Sequence, residues 1–520
     1  MTVSIRCIRA SSLRNATVYS EFGDLSRRRL HTFLTKRSRE LSSDKVTEIL
    51  RANEFSLSLK NDGSCVELSE SNQLPSNSPM EDTRSEAKCL LSKGMLFGVF
   101  DGHGGPACAQ VLAKRLFDYI CAGLLPKDIL RQYVQSLEGK GPPMDLLEKY
   151  NETFDLLPEL NSLYRKSFIK YVRKLFEDDE ELVEVKLALE KAILSLDDDI
   201  STEALNCEMP EIAAQTMQVA ISGSVCCVVY IDGSHLHVAN VGDCRAVLGV
   251  LTEDDVWKAK PLTYDHNYEN KSEVARIRSE HPANELRKVL EHGRLLGSLA
   301  PLRAFGDFSY KWSKAVQDKL VKTKLPLELV KYFDLLNYRR EFYLTPPYLT
   351  VKPEITYHRL TSEDKFLIIA TDGLWDEISS SEAVRFVAAH ARGKILLDPF
   401  QVPKKDMKLK DIHELLLRRK QYFDVKPIDR NGATHLLRNA LGCRASFSLA
   451  DSKNFSRYDR DDITITIIYF DATFPSVVRW SSVSFLTVSA TFVISASATL
   501  VTAILTLITT MVILITKTLC

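Results

Sequence analysis

The chain of 520 residues is long enough for one large catalytic domain carrying insertions, or for two or three ordinary domains. Its 68 basic and 68 acidic residues cancel, which removes any global electrostatic case for a nucleic-acid partner and requires every charged site to be local. The 11 cysteines are scattered, with one adjacent pair (Cys226, Cys227) and no CxxC spacing. That pattern argues against a zinc ribbon or a redox dithiol and fits a reducing intracellular compartment.

In chain order, residues 1–40 stand apart first. Met1–Ser20 holds Arg6, Arg9 and Arg14, several Ser and Thr, and no acidic residue; Arg27, Arg28, Arg29, Lys36, Arg37 and Arg39 follow. A basic, acid-poor segment suits import driven by an inside-negative potential, so residues 1–40 are expected to be a mitochondrial transit peptide, the alternative being an ordinary basic arm. A loop at Pro75–Pro79 then ends in Met80-Glu81-Asp82. Met95–Phe100 is a short apolar run flanked by glycines, predicting a buried strand that delivers Asp101 at its end. Cys108–Leu124 has helical spacing of Val111, Leu112, Leu116, Tyr119 and Ile120.

Residues 125–206 predict further helices, with charge runs such as Glu177–Glu181 read as solvated faces. Strands are expected at Gln218–Ser222, Val225–Ile231 and His235–Ala239, the last two joined by an Asp232-Gly233 turn. More are expected at Ala246–Val250, Phe366–Ala370 and Ile463–Phe470, with helices at Ser272–Glu280 and Ser380–Ala391. Such a mixture predicts an α+β layered fold with largely antiparallel sheets rather than a βαβ array. At the far end Ser481–Thr516 carries no charged residue, and Ala498–Ile515 is the best candidate for a membrane span. Its threonines and β-branched residues weaken that reading, leaving a packed terminus or an atypical transcript end as alternatives.

The chemistry lies in aspartates far apart in sequence, each beside a glycine or at a strand terminus: Asp101 (FDGHGG), Asp243 (VGDCR), Asp372 (ATDGLWD) and Asp461 (YDRDDITI). Any single Asp-Gly pair is usually only a turn. Gathered together, however, these carboxylates would repel one another, and a bound cation would resolve the conflict. Mg²⁺ and Mn²⁺ favour such hard oxygen ligands, and Mg²⁺ keeps several waters, so a few convergent carboxylates suffice.

Taken in order, MED at 80–82, FGVFDGHGG at 97–105, SGS at 222–224, ANVGDCRAVL at 239–248, LTYDH at 262–266, GSLAPLRAFGD at 297–307, ATDGLWD at 370–376 and DDITI at 461–465 resemble the motif series of the metal-dependent type-2C Ser/Thr protein phosphatases. The segments SNQLPSNSPMED, DYICAGLLP, HVANVGDCRAVLGV, RLLGSLAPLRAFGD, LTPPYLTVKPEITYHRL and NGATHLLRNALG are similar to the pyruvate dehydrogenase phosphatase branch of that family. The resemblance implies an α-β-β-α sandwich, its two sheets flanked by helices and a binuclear Mg²⁺ or Mn²⁺ centre at one edge. It implies a catalytic domain over residues 41–475, with helical insertions near 125–206, 311–345 and 392–430, and an apolar tail at 481–516.

By the same resemblance, Asp101 bridges two cations, Gly102 contributes its carbonyl, and Asp372 and Asp461 complete the first ion's shell. Glu81, Asp243 and Asp376 serve a weaker ion or act through water. Two such cations acidify a shared water for in-line attack on phosphorus, so no covalent enzyme intermediate is needed. Cys108, without CxxxxxR spacing, reads as core. His103 is the natural general acid, the alternative being a histidine that orders water or packs locally. His266 is expected to support a loop.

Where many family members place a phosphate-binding arginine, this chain has Asn77, and Val225 replaces the Thr common after SGS. The substrate-binding residues are therefore left open. The implied substrate is the phosphorylated decarboxylase α subunit of pyruvate dehydrogenase, and the implied partner is the lipoyl-bearing core of that complex. The insertions are expected to vary the rim without touching the metal cluster. A broader or membrane-tethered Ser/Thr phosphatase, and a catalytically silent binding module, are the alternatives.

Overall fold

The computed structural model describes residues 41–59, 65–151, 157–177, 184–322, 342–393, 407–423, 427–442 and 460–471. The expected transit peptide and apolar tail lie outside these residues, as do 323–341 and 394–406 of the expected insertions.

Elements follow in the order α1 (Ser43–Arg51), β1 (Phe55–Ser58), β2 (Val66–Leu74), β3 (Thr83–Cys89), β4 (Met95–His103), α2 (Ala107–Gly123), α3 (Lys127–Leu137), β5 (Leu147–Lys149), α4 (Pro158–Glu177), α5 (Val185–Asn206) and α6 (Pro210–Ile221). Next come β6 (Gly223–Asp232), β7 (His235–Val241), β8 (Arg245–Leu251), β9 (Trp257–Pro261), α7 (Lys271–Glu280), α8 (Leu286–Val289), β10 (Leu290–Glu291), β11 (Arg294–Leu295) and β12 (Phe305–Gly306). The chain continues with α9 (Lys314–Lys322), β13 (Glu354–Arg359), β14 (Asp364–Ala370), α10 (Asp372–Trp375), α11 (Ser380–Ala391), α12 (Leu409–Phe423), α13 (Gly432–Leu441) and β15 (Ile463–Phe470).

Two antiparallel sheets form the centre. One runs β1-β2-β15-β14-β8-β9; the other runs β13-β7-β6-β4-β3-β5, with β12 added against β6. The strands β4, β6 and β14 read as nearly unbroken apolar runs because both of their faces are covered. In β14, Leu367 and Ile369 face the core between the sheets, while Phe366, Ile368 and Ala370 face α11 and α13. In β6, Val225, Cys227, Val229 and Ile231 face the same inter-sheet core, and Cys226, Val228 and Tyr230 face the helices α2, α5 and α6. The four layers α-β-β-α are thus helices, sheet, sheet, helices, as expected. On α5 the stripe Leu189, Ile193, Leu196 and Ile200 is at most 1% exposed, each such side chain contributing about 1.5–3 kcal/mol on burial.

Three local expectations are corrected. Gln218–Ser222 is not a strand: it is the last turn of α6, opened by Pro210 at its first position, and Ser222 caps it through a backbone bond to the Gln218 carbonyl. A short apolar run cannot distinguish the two states by periodicity. The β6–β7 turn is Gly233-Ser234 rather than Asp232-Gly233, because Asp232 still pairs with His235 and Gly233 takes the positive φ of 57°. Finally, β4 does not stop at Phe100. It runs to His103, pairing Asp101 with Val225 and His103 with Gly223.

Candidate active site

Strand register alone gathers the dispersed motifs at one edge of the sandwich. Thr83 opposite Phe100 brings Glu81 beside the end of β4, and Val241 opposite Cys226 brings the Gly242-Asp243 turn to the start of β6. In the other sheet, Ala370 lies opposite both Arg245 and Ile465, which places Asp372 near Asp243 and Asp461. Glu81, Asp101, Gly102, His103, Asp243, Asp372, Asp376 and Asp461 all line one cavity of about 850 Å³.

Glycines permit this crowding. A Cβ at Gly102 would strike the Glu81 carbonyl oxygen, and one at Gly373 would strike the carbonyl oxygen of Asp462. His266 holds the Asp243 turn, as expected: its Nδ1 accepts from the Gly242 N–H at 3.0 Å, its backbone N–H donates to the Gly242 carbonyl at 2.9 Å, and its Nε2 meets Glu354 at 3.0 Å. Cys108 is fully buried, and burial pushes its thiol pKa well up, which suits core packing and not nucleophilic attack.

The electrostatics record unresolved repulsion. Burial, followed by the charges of Asp372, Asp82, Asp243 and Asp461, holds the Asp101 carboxyl well above the usual carboxylate range. Burial, followed by Asp243, Asp376 and Asp461, does the same to Asp372. Burial and then Asp265 push Asp243 up to about 6. Among the described residues no trio of His, Cys, Asp or Glu side chains is close enough to form a ready ligand set. The donor types, carboxylates on separate elements and one glycine carbonyl around a single cavity, are those a hard divalent cation takes.

His103 is differently placed. Its Nε2 lies 2.6 Å from Asp307 Oδ2. Burial alone would lower its pKa, but the neighbouring Asp307 carboxylate outweighs this and raises it.

Several residues at the site received no role from the sequence. Asp462 accepts N–H bonds from Ser76 (2.5 Å), Asn77 (2.8 Å) and Glu81 (2.8 Å), so it shapes the loop that carries Glu81. The doubled Asp in DDITI was the available signal. Asn77 points its amide at Asp461 (3.3 Å) and Asp462 (3.1 Å), bracing these carboxylates. Asp82 accepts from Thr371 at 2.9 Å, and burial, then Asp462, pushes it up to about 8. Arg245 brings positive charge to the cavity wall, clamped by Asp265 at 3.0 and 2.6 Å and lying 5.1 Å from the Trp375 ring centroid. Replacing Asp462 by Ala is expected to weaken apparent Mg²⁺ affinity about 10–100-fold, the usual cost of losing a group that orients metal ligands. Thermal stabilisation measured against Mg²⁺ concentration checks this; an unchanged half-saturation point would remove Asp462 from that role.

The protein phosphatase 2C family matches residues 161–404. The chain is 40% identical over 451 residues to the mitochondrial pyruvate dehydrogenase (acetyl-transferring) phosphatase 1 of Bos taurus, covering 83% of each chain. It is 37% identical to the mitochondrial phosphatase 2 of the same name from Homo sapiens, covering 83% of this chain and 84% of that one. A 30% identical match to the mitochondrial phosphatase 1 of Saccharomyces cerevisiae covers 78% of this chain and 69% of its counterpart.

Proposed function

This chain belongs to the protein phosphatase 2C family and is a protein serine/threonine phosphatase, and from that premise we propose that it acts in mitochondria on the phosphorylated α subunit of the pyruvate dehydrogenase decarboxylase. Dephosphorylation would reactivate the complex. The observation that carries the chemistry is the convergence of Asp101, Asp243, Asp372, Asp376, Asp461 and Glu81 on one cavity from separate elements. The substrate rests on the named activity of relatives that share 37–40% identity over most of both chains. The relatives' mitochondrial naming likewise supports residues 1–40 as a transit peptide ahead of a catalytic domain at 41–475. No helix among the described residues is long and apolar enough to cross a membrane.

Members of this family are metal-dependent. Asp101 would be shared by two cations, with the Gly102 carbonyl, Asp372 and Asp461 holding the first; Glu81, Asp243 and Asp376 would serve a further ion or ligating water. Bound Mg²⁺ or Mn²⁺ supplies Lewis-acid activation of water and neutralises charge on the phosphoryl group. The protein's own part is to hold the carboxylates at one edge despite their repulsion and to place His103 where it can give a proton to the departing serine or threonine oxygen.

The test is phosphate release by residues 41–475 from phosphorylated pyruvate dehydrogenase and from unrelated phosphoproteins, with Mg²⁺, with Mn²⁺ and with chelator. We expect metal-dependent release at least tenfold faster from pyruvate dehydrogenase. Equal rates on all substrates would defeat the substrate assignment, and turnover in chelator would defeat the mechanism.

A further inference from the structure

We propose that Asp307 is the positioning residue for His103, fixing which ring nitrogen faces the substrate; this rests on the functional reading above. Asp307 Oδ2 takes His103 Nε2 at 2.6 Å, and the Asp307 carboxylate is itself only 3% exposed. With Nε2 engaged, a proton exchanged with bound substrate must pass through Nδ1. The partners are 204 residues apart in sequence.

Two further observations show that the contact is built into the fold. A Cβ at Gly223, the residue opposite His103 on β6, would strike both His103 Nε2 and Asp307 Oδ2, so the pair in this geometry leaves no room for a side chain at that position. Asp307 also adopts a left-handed backbone with φ 49°, a conformation unfavourable for most side chains but tolerated by Asp and Asn. Its neighbours hold it there. The Asp307 N–H donates to the Ser222 carbonyl at 3.1 Å, and the Gly306 N–H donates to Asp197 Oδ1 on α5 at 2.9 Å. Lys311 bridges Asp197 (2.8 Å) and the Ala304 carbonyl (2.8 Å). The 125–206 insertion therefore reaches the loop that orients His103 and is not confined to the rim.

In the step concerned, a water oxygen bonds to phosphorus and loses a proton to solvent as the bond between phosphorus and the serine oxygen breaks; the electron pair of the broken bond stays on the serine oxygen, and the Nδ1 proton transfers there. The ring keeps its Nε2 proton against Asp307 and regains the other from solvent. Such protonation matters for a poor leaving group and little for a good one. Wild type, Asp307→Asn, His103→Gln and the double variant should be compared on a phosphoseryl peptide and on p-nitrophenyl phosphate, at saturating Mg²⁺. Asparagine retains the backbone conformation and removes the charge.

We expect Asp307→Asn to lower kcat on the peptide on the order of 100-fold, with a fall on the aryl ester smaller by about tenfold or more. His103→Gln should shift the ratio in the same way, and the double variant should be no slower than His103→Gln alone, as for residues acting as a unit. If Asp307→Asn fails to fold, Gly223→Ala provides the same test by wedging the pair apart. Equal losses on both substrates, or losses that add to those of His103→Gln, would overturn the proposal. A folded wild type inactive on both substrates would instead overturn the functional reading.

Discussion

Replacing Asp101 by asparagine is expected to lower phosphatase activity on the order of 10³-fold at saturating Mg²⁺, the upper end of what the loss of one electrostatic stabiliser costs. In chelator the same substitution is expected to make the protein more stable. Asp101 is buried among Asp372, Asp82, Asp243 and Asp461, so its charge is opposed both by desolvation and by its neighbours. Asparagine keeps the size and removes one of the repelling charges. A gain of about 0.5–2 kcal/mol is the expected scale when a conflict of this kind is relieved. Thermal melts in chelator and in Mg²⁺ check the pair of effects: wild type should gain more from Mg²⁺ than the variant. Activity within tenfold of wild type would remove Asp101 from the centre of the site, and a lower melting point in chelator would refute the repulsion argument.

The second large effect concerns stability. Arg115 on α2 and Glu203 on α5 form a paired contact at 2.8 and 2.7 Å, and both are about 5% exposed. The guanidinium also lies 4.0 Å from the Tyr164 ring centroid and donates to Tyr119, whose hydroxyl donates to Asp199 at 2.6 Å. An arginine cannot shed its proton, so Glu203→Ala would leave a buried charge without its carboxylate. The expected loss is about 3–5 kcal/mol in urea denaturation at neutral pH. The double variant Arg115→Met/Glu203→Leu should recover most of it, since it removes the charge as well as its partner. A loss below about 1 kcal/mol for Glu203→Ala would show that water reaches the pair.

The helical insertion is thus part of the core. Its charges looked like solvated faces in the sequence, and for Glu203, Asp197 and Asp199 that reading fails. Each has its partner on an element distant in sequence: Arg115, Lys311 and Tyr119 respectively. The strand β3 (TRSEAKC) carries a similar lesson. The sequence offered no strand there, yet Glu86 is fully buried, and Arg84 (2.7 Å) and Ser71 of the facing sheet (2.7 Å) both donate to it.

The sequence by itself determined the layered antiparallel architecture, the long apolar strands and most of the cavity's carboxylates. Those signals are local: continuous apolar runs, Asp-Gly junctions, and carboxylates whose mutual repulsion implies a cation. Tertiary structure alone decided whether 218–222 would be helix or strand, and which charges would be buried. It also decided that Asp307, ending a recognisable motif with no role of its own, would meet His103. The physical reason is range. Backbone propensity and alternation act over a few residues, whereas the free energy of a buried carboxylate depends on the donor that reaches it, and for Glu203 and Asp462 donors arrive from 88 and 386 residues away. Asp101 was legible because its glycine and its strand lie beside it in the chain; the Asp307–His103 contact was not, because the glycine that admits it, Gly223, belongs to neither motif.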